Sequence, residues 1–209
     1  LCHPKLERLL ELAGESGFKV ILTTNGTLLK KQQDVLLSAP ALHKINISLH
    51  AFEANDLAIP FSQYLEECFA FGQAAAGKKI VVYRLWNQGG ADALNREILT
   101  GLEAAFPKPW QDARQSVRLA DLVFLEYGNK FDWPDLTAED GGDAVFCYGL
   151  RDQIGVLCDG TVVPCCLDHN GDIALGNLFD QSMEDILATP RAAAIYEGFR
   201  HKKAAEELC

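Results

Sequence analysis

Seven cysteines, at positions 2, 68, 147, 158, 165, 166 and 209, are the residues of this chain best suited to chemistry, and five of them lie within the last 63 positions. Their odd number and the lack of a secretory apolar run argue against a disulfide framework, and for a metal site in a reducing compartment, the cytoplasm. Asp159-Gly160 stands between two β-rich runs, Gln153–Cys158 and Thr161–Cys165. That pattern predicts a hairpin with a two-residue type I′ turn. Its second strand folds back beside the first, so Cys165 and Cys166 approach the segment entering from Cys147, and Cys209 follows a helix able to return to the same place. Free cysteines are also small buried hydrophobes, and that plainer reading suits Cys68, on an apolar helical stripe, and Cys2. Strand alternation sets Cys165 on the face of Ile154, Val156 and Cys158, with Cys166 opposite. Cys158 then belongs to the hairpin core, while Asp168 and His169 read as solvated loop residues.

The elements that must position these groups follow from periodicity. Leu6, Leu9, Leu10 and Ala13 recur at helical spacing after Pro4 and before Gly17, predicting a helix over about 4–15. A strand over 18–23 ends at the Asn25-Gly26 turn, a helix spans 28–38 and a strand 45–50. Phe61, Tyr64, Leu65, Cys68, Phe69, Gly72 and Ala75 form one helical stripe, followed by a strand at 79–86, a helix at about 91–104 and a strand at 121–126. Strands alternating with helices signify βα units and a parallel sheet. After about residue 127 the rhythm breaks in an irregular acidic stretch holding Pro134, Gly141 and Gly142. The expected organisation is therefore a βα unit over 1–126, a linker over 127–142, and a smaller unit over 143–209. The smaller unit holds the hairpin, a helix started by a Ser182 to Asp185 capping box, and a helix over 191–207.

Composition removes several classes of function. With 19 Lys+Arg against 29 Asp+Glu, the net charge of −10 and the lack of a basic block leave no counterion-release drive toward nucleic acid. No apolar run reaches the roughly 18 to 20 residues of a membrane span. The 48% apolar content is that of a folded globular chain.

Twelve residues separate Cys147 from Gly160 and four separate Gly160 from Cys165. This resembles the Cys-x(9–15)-Gly-x(4)-Cys signature of the SPASM and twitch extensions of radical S-adenosylmethionine (SAM) enzymes. Asp159-Gly160-Thr161-Val162-Val163-Pro164-Cys165-Cys166, Leu175-Gly176-Asn177-Leu178 and Ser182-Met183-Glu184-Asp185-Ile186 follow in that family's order. In the first part, Leu1-Cys2-His3-Pro4 resembles the stretch after the family's Gly-Glu-Pro motif. Leu22-Thr23-Thr24-Asn25-Gly26-Thr27-Leu28-Leu29 resembles its third-strand Thr-Asn-Gly element, and Ile47-Ser48-Leu49 its fourth-strand serine.

The resemblance implies an α/β fold: a partial (β/α)6-type radical SAM barrel followed by a small α+β SPASM/twitch-like unit. It implies S-adenosylmethionine and [4Fe-4S] clusters as cofactors, an electron donor as partner, and 5′-deoxyadenosyl radical hydrogen abstraction from a peptide or protein substrate. Ser48, Arg84 and Asn25 are the implied cofactor-binding residues. Each also has a plainer role: a strand-end hydroxyl, one arm of a salt bridge, and a turn residue, the reading favoured for Asn25. Cys147 and Cys165, then Cys209, with Cys166 in reserve, are the implied thiolate ligands of an auxiliary cluster. Phe131-Asp132-Trp133-Pro134 and His50 stand where strand-end loops form an active-site mouth, or serve as structural plugs.

One departure is important. The Cys-x3-Cys-x2-Cys loop that holds the radical SAM cluster does not occur in the 209 residues. The chain is therefore expected to be a piece of a longer enzyme, inactive by itself. Two alternatives stand beside this reading: a radical SAM enzyme acting on a small metabolite, and a noncatalytic module in which the same cysteines hold Zn²⁺ tetrahedrally.

Overall fold

Alternation of apolar and polar residues along Val20–Thr24 (β1), Leu42–Ser48 (β2) and Ile80–Gln88 (β3) lets each strand give one face to a core. The three strands pair in parallel, β1 with β2 and β2 with β3. Val123–Asn129 (β6) continues the parallel series beside β3. In-register rows Ile45, Val81, Val123 and Ile47, Tyr83, Leu125 run across the sheet. On that face pack the helices α1 (Leu6–Glu15), α2 (Leu29–Ser38), α3 (Phe61–Ala75) and α4 (Asn95–Ala105), through Leu10, Leu36, Tyr64, Phe69 and Leu102 among others. Tyr83 is fully buried, and its hydroxyl donates to the Cys68 carbonyl at 2.9 Å. Gly72 makes room for it, since a Cβ there would fall on the Tyr83 hydroxyl.

The computed structural model describes residues 1–53, 59–130, 133–137 and 146–209. The chain divides into two compact units, Leu1–Phe131 and Asp132–Cys209. Phe131 and Asp132, Gly141 and Gly142 of the expected linker lie outside the described residues. The parallel sheet predicted from the alternation is present. A hairpin at Gln111–Ala113 (β4) and Ser116–Ala120 (β5) extends it with antiparallel strands, giving the order β1-β2-β3-β6-β5-β4. The sequence shows no sign of this hairpin because its turn is made by Arg114 at φ 51° rather than by glycine.

The second unit is built on a three-stranded antiparallel sheet: β7 (Gly155–Val156), β8 (Thr161–Val163) and β9 (Gly176–Asn177). The predicted hairpin exists, but its loop differs. Gly155 pairs with Val163 and Val156 with Val162. The Leu157 amide donates to the Thr161 carbonyl, and the Gly160 amide to the Leu157 carbonyl. The loop is therefore Cys158-Asp159-Gly160, a three-residue connection with glycine in the left-handed position at φ 86°. A one-residue change of register exchanges strand faces. Cys158 accordingly sits exposed at the loop tip instead of in the core, and Cys165 is in phase with Gly155 and Val163 rather than with Ile154 and Val156.

Two helices complete the unit. In α5 (Met183–Leu187) the Ser182 hydroxyl accepts from the Asp185 amide at 3.1 Å, so the predicted cap is present, and it donates to the Asp185 carboxylate at 2.7 Å, where a full capping box would have that carboxylate accept from the Ser182 amide. Thr189 caps α6 (Pro190–Arg200), with Pro190 in the first turn. This helix stops at Arg200 instead of running to 207, because the chain reverses through Lys202 at φ 57°. Val162, Ile173, Leu175, Ile186, Ala192, Ile195 and Phe199 form the core. Cys2, expected to be buried, is exposed.

Candidate functional site

The segment bearing Cys147 is tied to the residue before Cys165. The Leu150 amide donates to the Pro164 carbonyl at 3.3 Å. A Cβ on Gly149 would meet that carbonyl at 3.2 Å and the Cys147 Sγ at 3.3 Å, so only glycine passes freely between them. The Gly149 amide donates to Cys147 Sγ at 3.3 Å, and amide bonds of this kind tune the potential of thiolate-held clusters. Cys209 reaches the same place from the other end of the unit. Cys209 is exposed as a residue, yet burial of its thiol, then the nearby Cys147 and Cys165 thiols and the Glu206 and Asp168 carboxylates, push that thiol up to about 11. The Cys147 and Cys165 thiols thus lie near enough to Cys209 to act on its charge, and Cys166 is exposed.

Asp168 is not the solvated residue expected. It is 3% exposed, and its carboxylate accepts from the amides of Gly171 at 3.0 Å, Asp172 at 2.9 Å and Ile173 at 2.9 Å. It fixes the loop that follows Cys165 and Cys166, a role hidden in the sequence because the donors are backbone groups. His169 is exposed, with its ring 4.7 Å from that of Trp133.

Among the described residues no three His, Cys, Asp or Glu side chains stand close enough to hold a single metal ion. Tetrahedral zinc draws its ligands to about 2.0–2.3 Å. A multi-iron core separates its thiolates further, and three soft sulfur donors with an amide bonded to one of them have the chemistry such a core requires. The donor set fits an iron–sulfur cluster.

In the first unit, the face of the sheet opposite the helices carries polar groups. Ser48, Arg84 and Glu126 are in register on three adjacent strands, β2, β3 and β6. Arg84 stacks over Trp86 at 4.1 Å and lies 3.5 Å from the Glu126 carboxylate, which Lys44 also approaches at 3.8 Å. Burial pulls the Arg84 guanidinium down from its ordinary value, and Glu126 opposes that shift. Arg84 Nε is buried with the Glu126 carboxylate as its ion-pair partner, whereas Oδ1 of Asn46, whose Nδ2 donates to Thr23 Oγ1 at 3.2 Å, is buried without a hydrogen-bond partner. Buried polar atoms left this way are costly unless a ligand or water meets them. Asn46 and Glu126 were not singled out from sequence, although the two-residue phase from Ser48 and Arg84 marks the same face.

Asn25 takes the turn role. Its side-chain oxygen accepts from the Thr27 amide at 3.3 Å and hydroxyl at 2.9 Å, and its carbonyl accepts from Tyr64 at 2.7 Å. Gly26, at φ 88°, would place a Cβ 2.7 Å from the Cys68 sulfur. Cys68 is fully buried, and burial pushes its thiol up to about 12. His50 is structural: its Nδ1 lies 3.0 Å from the Arg84 carbonyl and 3.3 Å from the Trp86 amide, tying the 3₁₀ turn Leu49–Phe52 to β3.

Residues 147–209 match the family model of the SPASM iron–sulfur cluster-binding domain. The resemblance read from the sequence in this part of the chain is borne out. No curated protein matches the chain. Two crystal structures are similar to it, each over 99% of this chain and 78% of the other. BtrN in complex with AdoMet and 2-DOIA is 15% identical with a TM-score of 0.49, and selenomethionine BtrN in an open conformation is 14% identical with a TM-score of 0.43. Among the described residues no helix is long and apolar enough to cross a membrane.

Proposed function

We propose that the chain is part of a cytoplasmic radical SAM enzyme that modifies a peptide or protein, with its second unit holding an auxiliary iron–sulfur cluster. The observation that carries this reading is the gathering of Cys147, Cys165 and Cys209 inside the stretch that matches the SPASM domain. When bound, S-adenosylmethionine and a reduced [4Fe-4S] cluster supply a 5′-deoxyadenosyl radical for hydrogen abstraction, with electrons from a separate donor. The chain's own residues bind and orient. Cys147, Cys165 and Cys209 would hold the auxiliary cluster as thiolates, and Gly149 would donate its amide to the Cys147 sulfur. Arg84, stacked on Trp86 with its Nε toward Glu126, would offer its remaining guanidinium nitrogens to a carboxylate, and Ser48 next to it offers a hydroxyl on the same row. Those two residues suit the amino-acid end of the cofactor. The peptide or protein substrate and the electron donor rest on the family resemblance.

Anaerobic reconstitution with iron and sulfide tests the reading. The expected result is stoichiometric iron and sulfide with a charge-transfer absorption band, lost in Cys147→Ser and Cys165→Ser, and no 5′-deoxyadenosine from these 209 residues alone. A chain that binds zinc tightly and no iron–sulfur cluster would overturn it.

A further inference from the structure

Cys209 belongs to no helix or strand, so something must bring it back to the hairpin. After α6 the chain turns through Lys202 and runs back over Gly198. The Lys203 amide donates to the Gly198 carbonyl at 2.9 Å, and a Cβ on Gly198 would stand 2.8 Å from the Lys203 carbonyl oxygen. Arg191, at the start of the same helix, grips the returning strand of chain. Its Nε and Nη2 donate to the two Glu206 carboxylate oxygens at 2.7 and 2.8 Å, and its Nη1 donates to the Ala174 carbonyl at 2.9 Å. Ala174 precedes Leu175, whose amide bonds to Val162 of β8. One guanidinium therefore joins three parts of the unit: α6, the segment beside the hairpin sheet, and the C-terminal run. Beyond Glu206, Leu208 packs on the core together with Cys147, and the Cys209 amide donates to the Glu206 carbonyl at 3.1 Å.

We infer that Arg191 is a positioning residue for the site: through Glu206 and Ala174 it seats Cys209 beside Cys147 and Cys165, with Gly198 allowing the close crossing. This rests on the reading of Cys209 as a third thiolate. A planar fork satisfied on three acceptors fixes direction as well as distance, which a lysine ammonium does less well.

The test uses the metal-free full chain and the bifunctional thiol reagent dibromobimane, followed by tryptic peptide mapping. Trypsin places Cys147 and Cys209 in peptides separate from the one holding Cys158, Cys165 and Cys166, in which fragment spectra assign the linked thiol. Wild type is expected to link Cys209 to Cys147 or Cys165. Arg191→Met is expected to lower that yield about fivefold, with Arg191→Lys between the two and Glu206→Gln also reduced. The Cys147 to Cys165 link is expected to hold in every variant. No Cys209 link in wild type, a yield in Arg191→Met within twofold of wild type, or equal loss of the Cys147 to Cys165 link overturns the proposal. The last result would mean that Arg191 merely holds the unit folded. Iron content separates the two readings: Cys209→Ser with wild-type iron removes Cys209 from the ligand set and leaves intact what crosslinking shows of Arg191.

Discussion

The two units reach order by different means. Among the described residues the first unit buries twenty-three hydrophobic side chains in one core between a sheet and four helices, whereas the second buries seven. The second also leaves Phe179 at 81% exposure and Phe146 at 59%. Its span of 78 residues, 132–209, is near the size at which a single core supplies only about 3–5 kcal/mol and a metal or disulfide staple is usually needed. With free thiols gathered at its edge, the small unit has the means for such a staple and the large unit has no need of one. The lesson is that the sheet unit is held by apolar burial, while the cysteine-rich unit has less of it and would gain the more from a cluster on its thiols.

The sharpest test of that contrast is Tyr83→Ala, which removes a fully buried ring from the helix-covered face of the sheet. It is expected to cost the first unit about 3–5 kcal/mol in chemical denaturation while leaving crosslinking among Cys147, Cys165 and Cys209 unchanged. Loading the cluster is expected to act on the other unit. At a free-ligand excess of about a thousandfold over Kd it should add about 4 kcal/mol, seen as slower proteolysis after residue 132 and no change before it. Protection spread evenly over both units would erase the distinction.

Smaller effects probe the loops that hold the thiols in place. Asp168→Asn leaves backbone amides with a weaker acceptor and is expected to destabilise the second unit by about 1–3 kcal/mol, with faster amide exchange at Gly171, Asp172 and Ile173. Gly160→Ala puts a Cβ at φ 86°, 2.7 Å from the Asn177 side chain, and should cost about 1–3 kcal/mol in thermal unfolding. The smallest effect is that of pH on the Arg191 to Glu206 pair. Hydrogen bonding to Arg191 holds the Glu206 carboxyl below its ordinary value. Its contribution is therefore complete above the ordinary carboxylate range near pH 4.3 and disappears as pH falls through the lower folded value. Because the pair is partly exposed, the contribution is under about 1 kcal/mol. Thermal midpoints of wild type and Glu206→Gln should converge in acid, and a constant gap at all pH values would contradict this.

The sequence by itself determined the parallel strands and their helices, because period-2 and period-3.6 apolar patterns are local and continuous from residue 6 to residue 105. It determined the Ser182 cap and the existence of the hairpin through short-range turn chemistry, and it marked Cys147, Cys165 and Cys209 through spacing and family resemblance. It misplaced what depends on a single residue of register or on distant partners. The Gly160 loop took three residues instead of two, because the Thr161 carbonyl captured the Leu157 amide, and that moved Cys158 to the surface. The β4 and β5 hairpin turned at an arginine. Only the tertiary structure revealed Asp168 as a buried acceptor, the row of Ser48, Arg84 and Glu126 across three strands, and the grip of Arg191 on Glu206. Each joins groups through hydrogen bonds or strand register that leave no periodic trace in the chain, since their geometry is set by packing after the elements have formed.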